Sequence, residues 1–194
     1  MTQFKSMNPE IEVNGQTVLT IANGMGAVKN MGLRILSENN IHDPQPESWY
    51  SQQEWLNAFK QISEKIGAGT LFQIGKSIPE NAEFPPHIET IEQALAAIDV
   101  AYHMNHRLKG VELFNSQTGQ MTEGIGHYNF KKINDKKVEI ICDNPYPCDF
   151  DKGIITAMAR RFKPSSSPHV SVVHDVNDGC RSKGDHSCSY VITW

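Results

Sequence analysis

A chain of 194 residues, 39% hydrophobic and 21% charged with a formal net charge of −4, is long enough to bury a sizeable core without staples and has the balance of a globular protein. That charge, with no basic run and no interleaving of aromatic and basic residues, argues against a nucleic-acid surface. No apolar run approaches the ~20 residues of a membrane span. The N-terminal stretch from Met1 to Ser6 also lacks the apolar core of a signal peptide, so a cytoplasmic protein with reduced cysteines is expected.

In chain order, Asn14-Gly15 between apolar, β-favouring residues predicts a hairpin turn within 12–18. Residues 25–38 predict a helix with Met25, Val28, Leu33 and Leu36 inward, and the polar, proline-containing stretch 39–48 predicts a loop. Ser51-Gln-Gln-Glu54 has the form of a capping box, opening a helix with Trp55, Phe59, Ile62 and Ile66 on one face until Gly67 and Gly69 stop it. A short helix over 70–78 should end before Pro79. Thr90 caps a helix to about 104, with Ile91, Leu95, Ile98 and Tyr102 inward.

From 111 to 143 the pattern alternates, predicting strands over 125–133 and 137–142. Phe150, Ile154, Ile155, Met158 and Phe162 share one face of a helix over 150–162, and strands are predicted over 169–176 and 187–193 around a glycine-rich turn. The order predicts an α+β fold: a helical N-terminal half packed on a small antiparallel sheet, with a strand–strand–helix–strand–strand C-terminal half. Residues 1–194 are read as a single domain, mainly helical over 1–88 and with an α/β core over 89–194.

The cysteines form a constellation. Five residues separate Cys142 from Cys148, and seven separate Cys180 from Cys188. A hairpin would bring the thiols of Cys180 and Cys188 together, and a helix N-terminus at Cys148 would favour its thiolate. Such a corner of soft ligands suits zinc, whereas the alternative is a set of small buried hydrophobes. The element Cys180-x-x-x-Gly184-Asp185-x-x-Cys188-x-Tyr190, with the helix and strands before it, resembles the C-terminal signature of 4-vinyl-reductase-type domains. These are ligand-binding modules in a superfamily with the haem nitric-oxide/oxygen binding (H-NOX) domains and the TRAPP tethering subunits. The resemblance covers roughly 90–194. It implies a zinc site at Cys180, Cys188 and Cys148. The family's glutamate is Asn177 here, leaving Cys142, His174, Asp178 or His186 as the fourth ligand.

Asp99, His103 and His106 recur at i, i+4 and i+7, on one helix face. The segment 91–107 resembles the H-NOX helix that carries the proximal haem histidine, and His103 is the matching position. The Tyr-x-Ser-x-Arg motif that holds the haem propionates in that family is replaced by Ile141, Asp143 and Pro145. Zinc is therefore expected as the cofactor, and haem is set aside. Elsewhere, Glu123 and His127 could face a cavity, and Trp49, Tyr50, Trp55, Phe59 and Phe72 could wall one. Tyr146, in Asn144-Pro-Tyr-Pro147, would stand near the helix start.

The reading these features carry is a sensor or carrier for a small apolar or aromatic ligand, with a structural zinc site. The alternatives are a haem-binding gas sensor of H-NOX type, or a reductase-like enzyme acting on a tetrapyrrole or aromatic substrate. Neither a nucleophile–base–orienter set nor a nucleotide loop is visible, so binding is expected rather than catalysis. With no DNA-binding or kinase segment in the sequence, the chain would act on a separate signalling protein or serve as a carrier, and a homodimer is a further partnership open to it.

Overall fold

The computed structural model describes residues 3–194; the first two residues of the expected domain lie outside it. The chain runs β1 (Ile11–Asn14), α1 (Gly15–Val18), α2 (Thr20–Gly24), α3 (Lys29–Glu38), β2 (Trp49–Ser51), α4 (Gln52–Lys65), α5 (Ala68–Asn81) and α6 (Ile91–Met104). It continues through β3 (His106–Leu108), β4 (Val111–Glu112), β5 (Phe114–Asn115), β6 (Gln120–Met121), β7 (Tyr128–Asn134), β8 (Lys137–Cys142), α7 (Cys148–Arg161), β9 (Ser171–Asp175) and β10 (Cys188–Thr193). The sheets are antiparallel: one of order β2-β1-β3-β4, one of order β7-β8-β10-β9, and the small ribbon β5-β6. The α+β architecture and the strand–strand–helix–strand–strand order of the C-terminal half are as the sequence predicts.

The N-terminal sheet is not predicted by the sequence. Asn14-Gly15 makes no hairpin: the Asn14 side chain accepts from the Thr17 amide and caps α1. The strand before it pairs with distant partners, Val13 lying opposite both Tyr50 and His106. The helix expected over 25–38 is broken at Gly26–Val28, which turns Val28 out to solvent and makes Gly32, Ile35 and Leu36 the buried set of α3. Capping read at Ser51 and Thr90 matches the structure: Ser51 accepts from the Glu54 amide, and Thr90 and Gln93 cap each other reciprocally.

α5 runs through Pro79 instead of stopping before it. Arg161 of α7 donates to the carbonyls of Pro79 and Ala82, supplying donors where the end of the helix leaves acceptors unpaired. The two helices touch backbone to backbone. A Cβ on Gly75 would lie 2.1 Å from the Phe150 carbonyl oxygen, and one on Gly153 would lie 2.3 Å from that of Phe72. α7 is thus buried nearly all round, between α5 on one side and the larger sheet and α6 on the other. β8 alternates half-buried and buried residues along its length, as a sheet with one covered face requires.

Candidate functional site

The alignment of α5, α6 and α7 leaves a cavity of about 380 Å³ between them. Ile78 and Pro79 come from α5, Ile98, Ala101 and Tyr102 from α6, and Phe150, Ile154 and Met158 from α7. Trp55, Tyr128, Tyr146 and His106 close it further in, and Glu83, Phe84 and Ile88 line it on the loop after α5. Of the aromatic residues proposed as a wall, Trp55 lines the cavity; Trp49, Tyr50, Phe59 and Phe72 are not among its lining residues.

The imidazole that lines the cavity belongs to His106; His103, the position matching the H-NOX proximal histidine, is not among the lining residues. α6 ends at Met104, and the chain turns into β3 at His106, which re-aims the third residue of the i, i+4, i+7 set. His106 Nδ1 lies 2.6 Å from the Tyr102 carbonyl oxygen, so it carries the proton and donates. Nε2 is then a lone pair, and accepts from the Tyr146 hydroxyl at 2.6 Å. Gln52 Nε2 donates to that hydroxyl at 3.1 Å. Burial lowers the His106 pKa to about 4 against the pull of the Tyr102 carbonyl, so the ring is neutral at pH 7.

His103 is fully buried outside the cavity lining. Its Nδ1 donates to the Asp99 carbonyl at 2.8 Å, and its Nε2 has no hydrogen-bond partner. Beside it, His127 lies 2.9 Å from Asp99 Oδ2 through Nδ1 and 2.9 Å from Glu123 Oε2 through Nε2. Burial opposes its charge, but these bonds outweigh it and raise the pKa to about 8.

The cysteines meet at the other end of α7. All four are buried and free of disulfides. Cys148 Sγ lies 3.3 Å from Cys188 and 3.6 Å from Cys180, and the latter two are 3.9 Å apart. His174, stacked on Tyr190, completes a group whose donor atoms lie within 4.8 Å of one another. Cys142 pairs opposite Cys188 across the sheet but stays outside this group, as do Asp178 and His186.

The hydrogen bond with Cys188 and burial push the Cys148 thiol up, whereas the hydrogen bond from Cys148 and the adjacent Arg181 guanidinium pull Cys188 down. Arg181 is the residue that sequence reasoning missed. It is fully buried, donates through its backbone amide and Nε to Cys188 Sγ at 3.3 and 3.4 Å, holds the Asn144 side-chain oxygen at 2.7 Å and pairs with the Asp151 carboxylate. Tyr128 donates to the other Asp151 oxygen at 2.6 Å.

No family model and no curated protein matches the sequence. Solved structures do match the fold. An H-NOX protein from S. oneidensis in an Fe(II)NO ligation state superposes with a TM-score of 0.65 at 11% identity, covering 92% of this chain and 97% of that one. An Fe(II) unliganded H-NOX protein from K. algicida gives 0.60 at 12%, covering 93% and 95%. A protein studied for modulation of heme redox potential through porphyrin distortion gives 0.61 at 16%, covering 93% and 99%. The chain has the H-NOX fold. That likeness corrects the cofactor expectation, which set haem aside for zinc: the matching structures describe iron and heme, and the Cys148, Cys180, Cys188 and His174 group remains a set of soft donors with no zinc shown. Among the described residues, no helix is long and apolar enough to cross a membrane.

Proposed function

We propose that the chain is a sensor domain of H-NOX type that holds haem in the cavity between α5, α6 and α7, with His106 as the residue that would hold the iron. The observation that carries this reading is the state of His106: buried in the cavity, neutral, with Nδ1–H fixed on a backbone carbonyl and an Nε2 lone pair that would pass from the Tyr146 hydroxyl to the iron. A metal-binding histidine needs that tautomer, and a carbonyl on the far nitrogen is its usual orienting partner. Ile98, Phe150, Ile154 and Met158 offer apolar walls to a flat macrocycle. When bound, haem supplies an iron atom able to take a diatomic gas. The protein's contribution is to hold the imidazole through the Tyr102 carbonyl, with the Tyr146 hydroxyl beside Nε2; the Tyr102 hydroxyl is taken up by the Ile125 carbonyl.

A second reading is favoured by one observation. Glu83 is the only charged side chain among the cavity's lining residues, and no lysine or arginine lines it to meet a propionate. A neutral aromatic or apolar molecule, carried directly, would make no such demand.

Haemin titration of the purified chain separates the two. The haem reading expects a Soret band at one equivalent that His106→Ala shifts or abolishes and His103→Ala leaves in place. Failure to form the band, or its indifference to His106→Ala, would overturn that reading. Native mass spectrometry of the fresh protein then shows whether an organic molecule is retained instead.

A further inference from the structure

We propose that Asp99, His103 and His127 form a binding site for a divalent first-row transition-metal ion, separate from the cavity and from the cysteines. One donor atom from each lies within 4.8 Å of the others. Asp99 and His103 stand one turn apart on α6, and His127 directly precedes β7, so the ion would tie the loop before that strand to the helix lining the cavity.

The His103 ring provides the unexplained feature. Its Nδ1 donates to the Asp99 carbonyl, which makes Nε2 an acceptor, yet Nε2 is fully buried with no partner. An unpaired buried acceptor costs ~1–3 kcal/mol, and native structures rarely keep one without a reason. The ring packs on His127 with centroids 5.0 Å apart. Asp99 is already oriented, because its Oδ1 accepts from the Tyr128 amide at 2.9 Å while Oδ2 faces His127.

Two imidazoles and one carboxylate are the donor set preferred by borderline ions such as Fe²⁺, Co²⁺ and Ni²⁺, and three protein donors leave coordination positions open. In the ion-free protein, His127 donates to Asp99 on one nitrogen and to Glu123 on the other. Binding replaces the Nδ1 proton of His127 with the ion and releases that proton to solvent. Glu123, on the far nitrogen, then orients the ring.

The site makes no use of His106, so its test is independent of the haem reading. The probe is Co²⁺ added to the haem-free chain of 194 residues, followed by equilibrium dialysis and by absorption. His127→Gln is the main variant because His127 is partly exposed, and Asp99→Asn is the second; thermal melts confirm that both fold. The expected result is an equivalent of Co²⁺ whose affinity falls at least tenfold in either variant, persists in Cys148→Ser and lacks a thiolate-to-cobalt charge-transfer band. Unchanged affinity in His127→Gln, loss of that equivalent in Cys148→Ser, or no Co²⁺ binding in the wild type would each overturn the proposal.

Discussion

Lowering the pH should charge His106, and the cost can be worked out from its surroundings. The unfolded chain takes up the proton with the ordinary histidine pKa of 6.5, whereas the folded chain resists until about pH 4. Between those values the unfolded state binds more protons, so stability rises with pH and is lost as the pH falls from 6.5 toward 4. Integrating from pH 7.5 down to 4.5 gives a loss of about 2–3 kcal/mol from this one group, at ~1.4 kcal/mol per unit of pKa difference. Carboxylates and other histidines titrate over the same range, so the comparison must be differential. Urea midpoints of wild type and His106→Gln, at pH 7.5 and 4.5, isolate the contribution, because glutamine keeps a polar neutral side chain and does not titrate. The wild type should lose about 2–3 kcal/mol more than the variant. Losses that agree to within ~0.5 kcal/mol would mean that the ring is not held neutral by burial, and would remove the basis for the proposal that it is a neutral metal ligand.

Other perturbations test the scaffold around it. Arg181→Leu should destabilise by ~3–5 kcal/mol in urea melts by leaving the Asp151 carboxylate buried and unpaired, and the Arg181→Leu/Asp151→Leu double variant should recover part of that loss. Gly75→Ala is expected to destabilise by ~1–3 kcal/mol despite alanine's better helix propensity, since the new methyl meets the Phe150 carbonyl; a stabilised variant would show that α5 and α7 can part at little cost. His127 acts opposite to His106. Its folded pKa is raised to about 8, so its stabilisation is complete below pH 6.5 and is lost as pH rises through 8. Partial exposure holds that effect to under ~1 kcal/mol, read as the difference between wild type and His127→Gln at pH 6 and 9.

Local signals announced the parts of this fold that depend on local chemistry. The apolar spacing of Phe150, Ile154, Ile155 and Met158 and the Thr90–Gln93 capping pair mark helices that stand where the pattern places them. The N-terminal sheet left no comparable trace, because β1 is four residues long and its partners lie far away in sequence. The histidine set was visible as a face of one helix. Which member reaches the cavity depended on the chain leaving that helix at Asn105, a matter of one residue that periodicity cannot resolve. Arg181 gave no signal at all. In a glycine-rich polar turn an arginine reads as solvated, and it is the Asp151 carboxylate, brought from a distant helix, together with Asn144 and Cys188, that makes its burial tolerable.

That burial gives the cysteine hairpin a mechanical meaning that its spacing does not reveal. From Cys188 the contacts pass to the Arg181 guanidinium, then to Asp151 on α7, then to the Tyr128 hydroxyl, whose ring lines the cavity. Every member is fully buried, so each charge depends on the next for its compensation. The hairpin therefore delivers a cation beneath α7 and fixes the helix whose far side supplies Phe150, Ile154 and Met158 to the cavity. Loss of the hairpin's packing would leave Asp151 uncompensated and free Tyr128 from its acceptor, altering the cavity wall without touching a residue that faces the ligand. On this geometry the conspicuous cysteines support the cavity from behind, and under the proposed function His106 is the side chain that would meet the ligand.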